Sequence, residues 1–144
     1  MSCRRHTIVK LSVFCLGLTA LMFMILGAST LAAAQARSFP FDHELRFDAD
    51  PVRGSKRVPG LLISSNGEVE IDLWCVSGTG RATIADSSIS IVPTGMRDNQ
   101  CPPDRLLMDK QLLDQLTQVT SWRWEGQLLV LVGPQPLRYR PTSN

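Results

Sequence analysis

Cys75 and Cys101 are the two residues in this chain that are best placed for covalent chemistry. The chain has 4 cysteines, but Cys3 and Cys15 lie in an N-terminal segment that has the pattern of an export signal. Cleavage of that signal would leave an even pair in an oxidising compartment, which predicts a disulfide. A redox centre is less favoured because the Cys-x-x-Cys spacing is absent. Closing a loop of about 26 residues would stabilise the fold by about 3 kcal/mol in the chain-entropy model.

His43 is the second candidate for chemistry, because Asp42, Glu44 and Asp48 stand close to it in sequence. Such a cluster could serve in acid–base catalysis or hold a metal ion. However, removal of the signal also removes His6, so His43 would be the only histidine left, and no serine nucleophile motif accompanies it. We therefore predict a solvated histidine and expect no catalytic residue, no cofactor and no metal site.

The first 36 residues have the three parts of a secretory signal peptide. Arg4, Arg5 and Lys10 come first, an apolar run covers residues 11–31, and residues 34–36 read Ala-Gln-Ala. Cleavage after this segment predicts a periplasmic or secreted protein. One alternative stays open, because an apolar run of about 20 residues is also long enough to remain as an anchor in the inner membrane.

The remaining residues bound what the exported protein can be. Removing 36 of 144 residues leaves 108, enough for one domain with a modest core. Only 12 of the 15 basic side chains would remain against 13 acidic ones, a net charge of −1. This balance implies no nucleic-acid partner. We divide the exported part into an N-terminal strand and loop, residues 37–60, and a domain, residues 61–144.

Short strands dominate the first half of this domain. Asn66 and Gly67 separate two apolar segments, which indicates a hairpin with a type I′ turn. Its second strand alternates, and the inward side chains are Val69, Ile71, Leu73 and Cys75. Gly78 and Gly80 are then expected to break the strand, more as a bend than as a phosphate-binding loop. Residues 82–91 form another hairpin, and residues 93–103 are predicted to be a loop.

One helix is predicted in the second half, beginning between Asp104 and Asp109, with one of these carboxylates as its cap. Its apolar stripe consists of Met108, Leu112, Leu113, Leu116 and Val119. Strands are expected over residues 122–124, 128–132 and 137–140. The uninterrupted apolar run 128–132 is typical of a strand covered on both faces, by the helix on one side and the opposite wall of the sheet on the other.

The order of these elements resembles the META domain family, the HslJ-like envelope and secreted proteins. The resemblance covers roughly residues 61–139. It rests on a strand that ends at Cys75 before a glycine, a Thr-x-Met segment before the helix, the leucine-rich helix around Leu112, and Gly126 before an apolar strand. The chain departs from the family at Val76, where asparagine is usual, and in the longer spacing between Met96 and Cys101.

The resemblance implies an α+β fold in which a small curved antiparallel sheet, partly closed into a barrel, wraps around one helix. It implies no enzymatic activity and no cofactor. It also implies an envelope or secreted location and a loose link to stress tolerance, without naming a molecular partner.

Two sets of side chains could form a partner or ligand surface. Basic residues could contact anionic headgroups or glycans, although alternating basic residues on a last strand more often protect a sheet edge. These residues are Arg53, Lys56, Arg57, Arg138 and Arg140. Trp122 and Trp124 share a strand face and could line a groove, but closing one end of the core is the favoured interpretation.

Two functional classes follow from the sequence. The first is a noncatalytic envelope protein that contacts another envelope protein and supports stress tolerance. The second is a carrier that holds a lipid or a small apolar ligand between the sheet and the helix. A continuous apolar channel opening near Trp122 and Trp124 would favour the carrier, and a filled core would favour the contact protein.

Overall fold

The computed structural model describes residues 37–50, 52, 55–98 and 100–142. The predicted export signal, residues 1–36, lies outside these ranges. Among the residues that are described, no helix is long and apolar enough to cross a membrane.

Eight antiparallel strands form a closed barrel in which each strand pairs with its neighbours in sequence. The last strand pairs with the first, for example through Phe47 and Tyr139. The strands are β1 (Glu44–Phe47), β2 (Gly60–Ile63), β3 (Glu68–Asp72), β4 (Ser77–Ala85), β5 (Ser88–Arg97), β6 (Ser121–Glu125), β7 (Leu128–Val132) and β8 (Leu137–Pro141). One helix of the described residues, α1 (Pro103–Thr117), connects β5 to β6. The predicted antiparallel α+β architecture with one helix is confirmed.

The barrel is weakest between β5 and β6, where the register contains one pair, Ser88 with Ser121. The other neighbouring strands pair over three or more residues, and β4 with β5 over nine. Helix α1 is inserted into the chain at this seam and packs against β5. The long connection therefore replaces strand pairing with helix packing on this side of the barrel.

The core follows from strict alternation along the strands. Val69 and Ile71 of β3, and Leu73 directly after it, are each about 1% exposed, while the residues between them face solvent. Inward side chains from the other strands and from α1 complete one cluster, which includes Leu45, Leu61, Ile63, Ile89, Ile91, Leu112, Leu116, Leu129, Leu131, Leu137 and Tyr139. The inside of the barrel is thus occupied by its own side chains.

Strand β7 is covered on both faces, as predicted, but its outer face is covered by side chains of the neighbouring strands. Leu129 and Leu131 join the core cluster that contains the helix leucines, whereas Val130 is fully buried outside that cluster. The register places Arg123 and Arg138 on either side of Val130. Long arginine stems can cover apolar surface while their charged ends stay in water. We therefore attribute the burial of Val130 to these arginines and not to α1.

Strands β4 and β5 are longer than the sequence predicts. Gly78 and Gly80 do not end β4, because a β-bulge at Thr79/Gly80 keeps the pairing with β5. A Cβ atom at Gly80 would lie 2.7 Å from the carbonyl oxygen of Val92, so the close approach requires glycine. Strand β5 likewise continues through Pro93 to Arg97, and the predicted loop begins only at Asp98. Proline is tolerated here because β6 pairs only with the first residue of β5.

The hairpin between β2 and β3 has the predicted position but a different turn. Only Gly67 has a positive φ, at 84°, whereas a type I′ turn would require one at Asn66 as well. The Gly67 amide donates to the Ser64 carbonyl (2.9 Å), and the Asn66 side chain accepts from the Glu68 amide (2.9 Å). A four-residue loop with one left-handed glycine therefore makes the connection.

Helix α1 starts at Pro103, and neither predicted aspartate caps it. Pro102 is the N-cap residue and makes no side-chain capping bond, while proline at the first helical position is preorganised for a helix start. Leu112 and Leu116 are buried as predicted, and Met108 and Leu113 are half-buried. Val119 is also buried but lies beyond the helix end, and Asp109, predicted as a possible cap, is 1% exposed within the helix.

Tyr139, the sole tyrosine of the chain, makes folding sensitive to alkaline pH. Burial raises the pKa of its phenol well above the ordinary value of about 10. Above about pH 10 the unfolded chain loses this proton while the folded chain keeps it. The free energy of unfolding is therefore unaffected below about pH 10 and should fall by about 1.4 kcal/mol per pH unit above it.

The Tyr139→Phe variant should lack this loss. Urea unfolding of both proteins across the alkaline range measures the two free energies of unfolding. The titration of lysines contributes equally to both and therefore drops out of their difference. Equal slopes for the two proteins would show that the phenol does not remain neutral in the folded state.

Candidate functional site

The interior of the barrel is filled and does not offer a binding channel. The inward residues Leu45, Ile63 and Leu116 have no measurable exposure, and the remaining core residues are nearly as buried. Candidate sites must therefore lie on the outer surface or at the ends of the barrel.

The end of the barrel near Trp122 is closed by the segment that precedes β1. The ring of Phe39 packs edge-on against Trp122 with centroids 5.2 Å apart, and it lies 4.9 Å from the ring of Phe41. Phe39 is only 6% exposed. The segment thus supplies an aromatic cover where a channel would have to open.

Trp124 is held by the same segment. Its indole N–H donates to the Ser38 carbonyl oxygen (3.2 Å), and the Arg37 guanidinium lies 5.2 Å from the ring centroid. Arg37 also donates to the Gly126 carbonyl oxygen (3.0 Å). Both tryptophans are half-buried and pack against the core cluster at this end.

The neighbours of His43 do not form an acid–base group with it. His43 is exposed, and its Nδ1 lies 2.8 Å from the Phe41 carbonyl oxygen, which makes Nδ1 the donor. Asp42 accepts from the Ser65 amide (3.2 Å), and Glu44 pairs with Arg46 (3.3 Å). Across the described part of the chain, no three His, Cys, Asp or Glu residues are arranged to hold a metal ion.

Replacing His43 with alanine should change the free energy of unfolding by less than about 0.5 kcal/mol, because the ring is exposed and makes one local contact. Thermal unfolding measures this effect. A larger loss, or a lost cellular phenotype in a folded variant, would revive His43 as a functional residue.

The structure contains the Cys75–Cys101 disulfide that the sequence predicts, with Cα atoms 5.8 Å apart. It joins the turn between β3 and β4 to the residue two positions before α1. Arg57, Trp74 and Arg105 surround the Cys75 side of this junction. The bridge therefore anchors the start of the helix to the barrel.

Asp109 makes the second connection between α1 and this turn. Its Oδ1 accepts from the Trp74 amide (2.9 Å), and its Oδ2 accepts from the amides of Cys75 (2.9 Å) and Val76 (2.7 Å). Three backbone N–H groups thus converge on one buried carboxylate, and such bonds are stronger than neutral ones. These bonds engage both oxygens of the carboxylate, so its role is structural.

An apolar crevice of about 360 Å³ lies beside this junction, between the first half of α1 and the ends of the strands. Leu106 and Leu107 of α1 are 39% and 68% exposed. The crevice is lined by Leu73, Val76, Met96, Asp98, Leu106, Asp109, Lys110 and Leu113. It is a counterpart of the predicted groove between sheet and helix, and a smaller hollow of about 170 Å³ lies between Phe47 of β1 and Met108 of α1.

A larger groove, of about 690 Å³, crosses the outer face of β1, β2 and β3. We call it the β2 valley. The register forms two rows across it, Glu44–Leu62–Glu70 and Arg46–Gly60–Asp72. The central strand supplies the floor, Gly60 and Leu62, and the flanking strands supply charged walls. Residues Lys56, Arg57 and Val58 form a lip at the Gly60 end.

The predicted basic surface does not form one patch among the described residues. Arg53 lies outside the described residues, and Lys56 and Arg57 belong to the lip of the β2 valley. Arg138 pairs with Glu125 (3.7 Å) and Arg140 with Asp48 (3.2 Å). Strand β8 pairs with both β1 and β7, so these arginines do not protect an open edge.

Sequence reasoning missed the β2 valley and the role of Asp109. The alternation of Glu70 and Asp72 with buried residues indicated one exposed face of β3, but nothing local showed which strands would lie beside it. Gly60, the residue that makes the valley deep, is a strand residue only because it pairs with Arg46 and Asp72.

The comparisons with known proteins agree with this architecture. A family model described as META domain matches residues 42–141. This range includes β1, although the sequence pattern predicted that the domain begins only at residue 61. No curated protein matches the chain.

Two solved structures are similar in fold. One is an NMR structure of a protein from Burkholderia xenovorans, with a TM-score of 0.56 and 17% identity, covering 72% of this chain and 84% of the other. The second, also an NMR structure, has a TM-score of 0.54 and 15% identity, with 69% and 88% coverage. At these identities the likeness concerns the fold alone.

Proposed function

Because the chain belongs to the META domain family, we propose that it is an exported, noncatalytic envelope protein that contacts another envelope protein through its outer surface. This contact would support stress tolerance of the envelope. The META domain is not a known enzyme family, which is consistent with a binding role.

The filled barrel is the observation that carries this proposal. Inward side chains from the strands and α1 occupy the interior, and Phe39 covers the end near Trp122. A protein that cannot admit a ligand into its barrel must act through what its outside presents. The β2 valley and the apolar crevice beside α1 are two concave surfaces that the described residues offer for this purpose.

Export is supported by the signal pattern of residues 1–36 and by the disulfide. Disulfides form and persist in oxidising compartments and are rare in the cytosol. The proposed location is the periplasm or the extracellular medium, with attachment to the inner membrane through residues 11–31 as the alternative.

A cross-linking pull-down from envelope extract tests the proposal. The tagged protein, purified after export, is incubated with the extract, and captured proteins and lipids are both identified. The expected result is a small set of proteins whose capture is abolished by excess untagged protein. Absence of any competable protein, in repeated experiments with efficient cross-linking, would contradict a contact function.

The carrier hypothesis remains the second candidate because of the apolar crevice beside α1. Its volume lies within the range of about 300–1,000 Å³ that is usual for small-molecule sites. Competable capture of lipids without proteins would favour it. Binding of a fluorescent fatty acid should then be lost in a Val76→Phe variant, which fills the crevice. It should be kept in the control, Val92→Phe on β5, because the side chain of Val92 is 56% exposed and does not line the crevice.

A further inference from the structure

We infer that the β2 valley is the contact site for an extended peptide segment that carries two basic side chains at alternate positions, followed by a carboxylate. This inference deepens the proposed contact function and rests on it.

The shape suits an extended chain. Gly60 has no side chain, and Leu62, two residues further along β2, is only half-buried, so the floor is low along this strand. The walls stand on β1 and β3, which run alongside β2 through the rows Glu44–Leu62–Glu70 and Arg46–Gly60–Asp72. A groove that follows a strand in this way accommodates a segment in the same extended conformation.

The two walls of the valley differ in charge. Glu44 and Arg46 of the β1 wall pair with each other (3.3 Å), so this wall is close to neutral. On the β3 wall, Glu70 and Asp72 are exposed, and their carboxylates make no hydrogen bond or ion pair with any described residue. The valley therefore has an acidic side that its own described residues do not neutralise.

The lip has the opposite charge. The side chains of Lys56 and Arg57 are exposed and, among the described residues, make no ion pair. The lip lies at the Gly60 end, next to the row that contains Asp72. A bound segment would therefore contact the carboxylates of Glu70 and Asp72 along the valley and the cations of Lys56 and Arg57 at its Gly60 end.

The spacing selects a peptide with alternating basic residues. Glu70 and Asp72 are two residues apart on one face of β3, which places their Cα atoms about 6–7 Å apart. Side chains at alternate positions of an extended peptide have the same spacing. Two lysines or arginines can therefore pair with Glu70 and Asp72 while a following carboxylate reaches Lys56 and Arg57.

Ligands whose charges all have the same sign fit the valley less well. A polyanion is repelled by Glu70 and Asp72, and a polycation is repelled by Lys56 and Arg57. Like-charge juxtaposition of this kind is a common source of specificity at interfaces. Since all these groups are exposed, their attraction should also weaken with added salt.

Synthetic peptides of equal length test the inference. The probe is acetyl-Lys-Ser-Lys-Gly-Glu with a free C-terminus, and the controls replace both lysines by glutamate or replace the glutamate and the C-terminal carboxylate by lysine amide. Binding to the exported protein is followed by NMR titration of the backbone amides. The probe should bind at least about fivefold more tightly than either control and should shift the amides of Gly60, Leu62, Glu70 and Asp72.

Variants identify the walls. Glu70→Gln with Asp72→Asn should weaken the probe at least about fivefold, whereas Asp104→Asn with Asp114→Asn, two exposed carboxylates of α1, should leave it unchanged. Both variants retain the side-chain sizes, and amide spectra verify their folds. The inference would be overturned if all three peptides bound equally. It would also be overturned if the valley variant, Glu70→Gln with Asp72→Asn, bound the probe as tightly as the wild type does.

The pull-down separates this inference from the proposed function. If the partner protein is captured equally by the wild type and the valley variant, the contact function stands and the valley is not its site. If the wild type captures no competable protein, the contact function itself fails. A partner lost only with the valley variant supports both.

Discussion

Replacing Asp109 with alanine is expected to lower the free energy of unfolding by about 3 to 5 kcal/mol. The change removes the acceptor of three backbone N–H groups, those of Trp74, Cys75 and Val76. A buried donor left without an acceptor costs about 1 to 3 kcal/mol. The sum stays below three full penalties because Trp74 and Cys75 are only half-buried, so water can reach part of the turn.

An asparagine at position 109 separates hydrogen bonding from packing. Its side chain has nearly the same size as aspartate, but one oxygen becomes an NH₂ group that cannot accept from an amide. Asp109→Asn should therefore lose about 1 to 3 kcal/mol, between the wild type and the alanine variant. Chemical denaturation measures all three proteins.

Asp114 provides the matched control for this series. It lies on the same helix and is exposed, and its backbone carbonyl accepts from Thr117 and Gln118 while its carboxylate makes no hydrogen bond with any described residue. Asp114→Ala should change the free energy of unfolding by less than about 0.5 kcal/mol. If Asp109→Ala were as mild as Asp114→Ala, the carboxylate would not hold the turn to the helix.

Leu116→Ala is expected to destabilise the protein by about 2 to 5 kcal/mol. The side chain is fully buried in the core cluster, so truncation loses its transfer free energy and leaves a cavity. The thermal midpoint should fall accordingly, as measured by circular dichroism or calorimetry.

Leu107 is the control for this second prediction, because it belongs to the same helix and is 68% exposed. Leu107→Ala should leave stability within about 0.5 kcal/mol of the wild type, since alanine also favours the helix. An unchanged midpoint for Leu116→Ala would show that α1 does not pack into the barrel through this residue.

Several parts of the fold could be predicted from the sequence because they depend on local pattern. The alternation of Val69, Ile71 and Leu73 is sufficient to place one face of β3 and of the residue after it in the core, and each is about 1% exposed. The helical spacing of Leu112 and Leu116 likewise identifies the buried stripe of α1. Neither inference needs to know which element lies opposite, because burial of one face is required whatever covers it.

Turn chemistry could be predicted only in part. Gly67 and Gly126 have positive φ, as their positions between apolar segments indicate. The bulge at Thr79/Gly80, however, allows β4 to continue and lets Pro93 lie within β5. A glycine that ends a strand and a glycine that permits close approach of a neighbouring strand look alike in sequence, since the difference lies in the partner.

The sequence by itself therefore determined which faces are apolar, where the chain turns, and which cysteines could pair. Only the tertiary structure decided that β1 pairs with β8 to close the barrel, that Asp109 meets the amides after β3, and that Gly60 lies between Arg46 and Asp72. The physical reason is that side-chain periodicity reports only whether a residue faces the core or the solvent. The neighbours of an outward or polar residue are set by strand register and helix position, which bring together residues far apart in the chain.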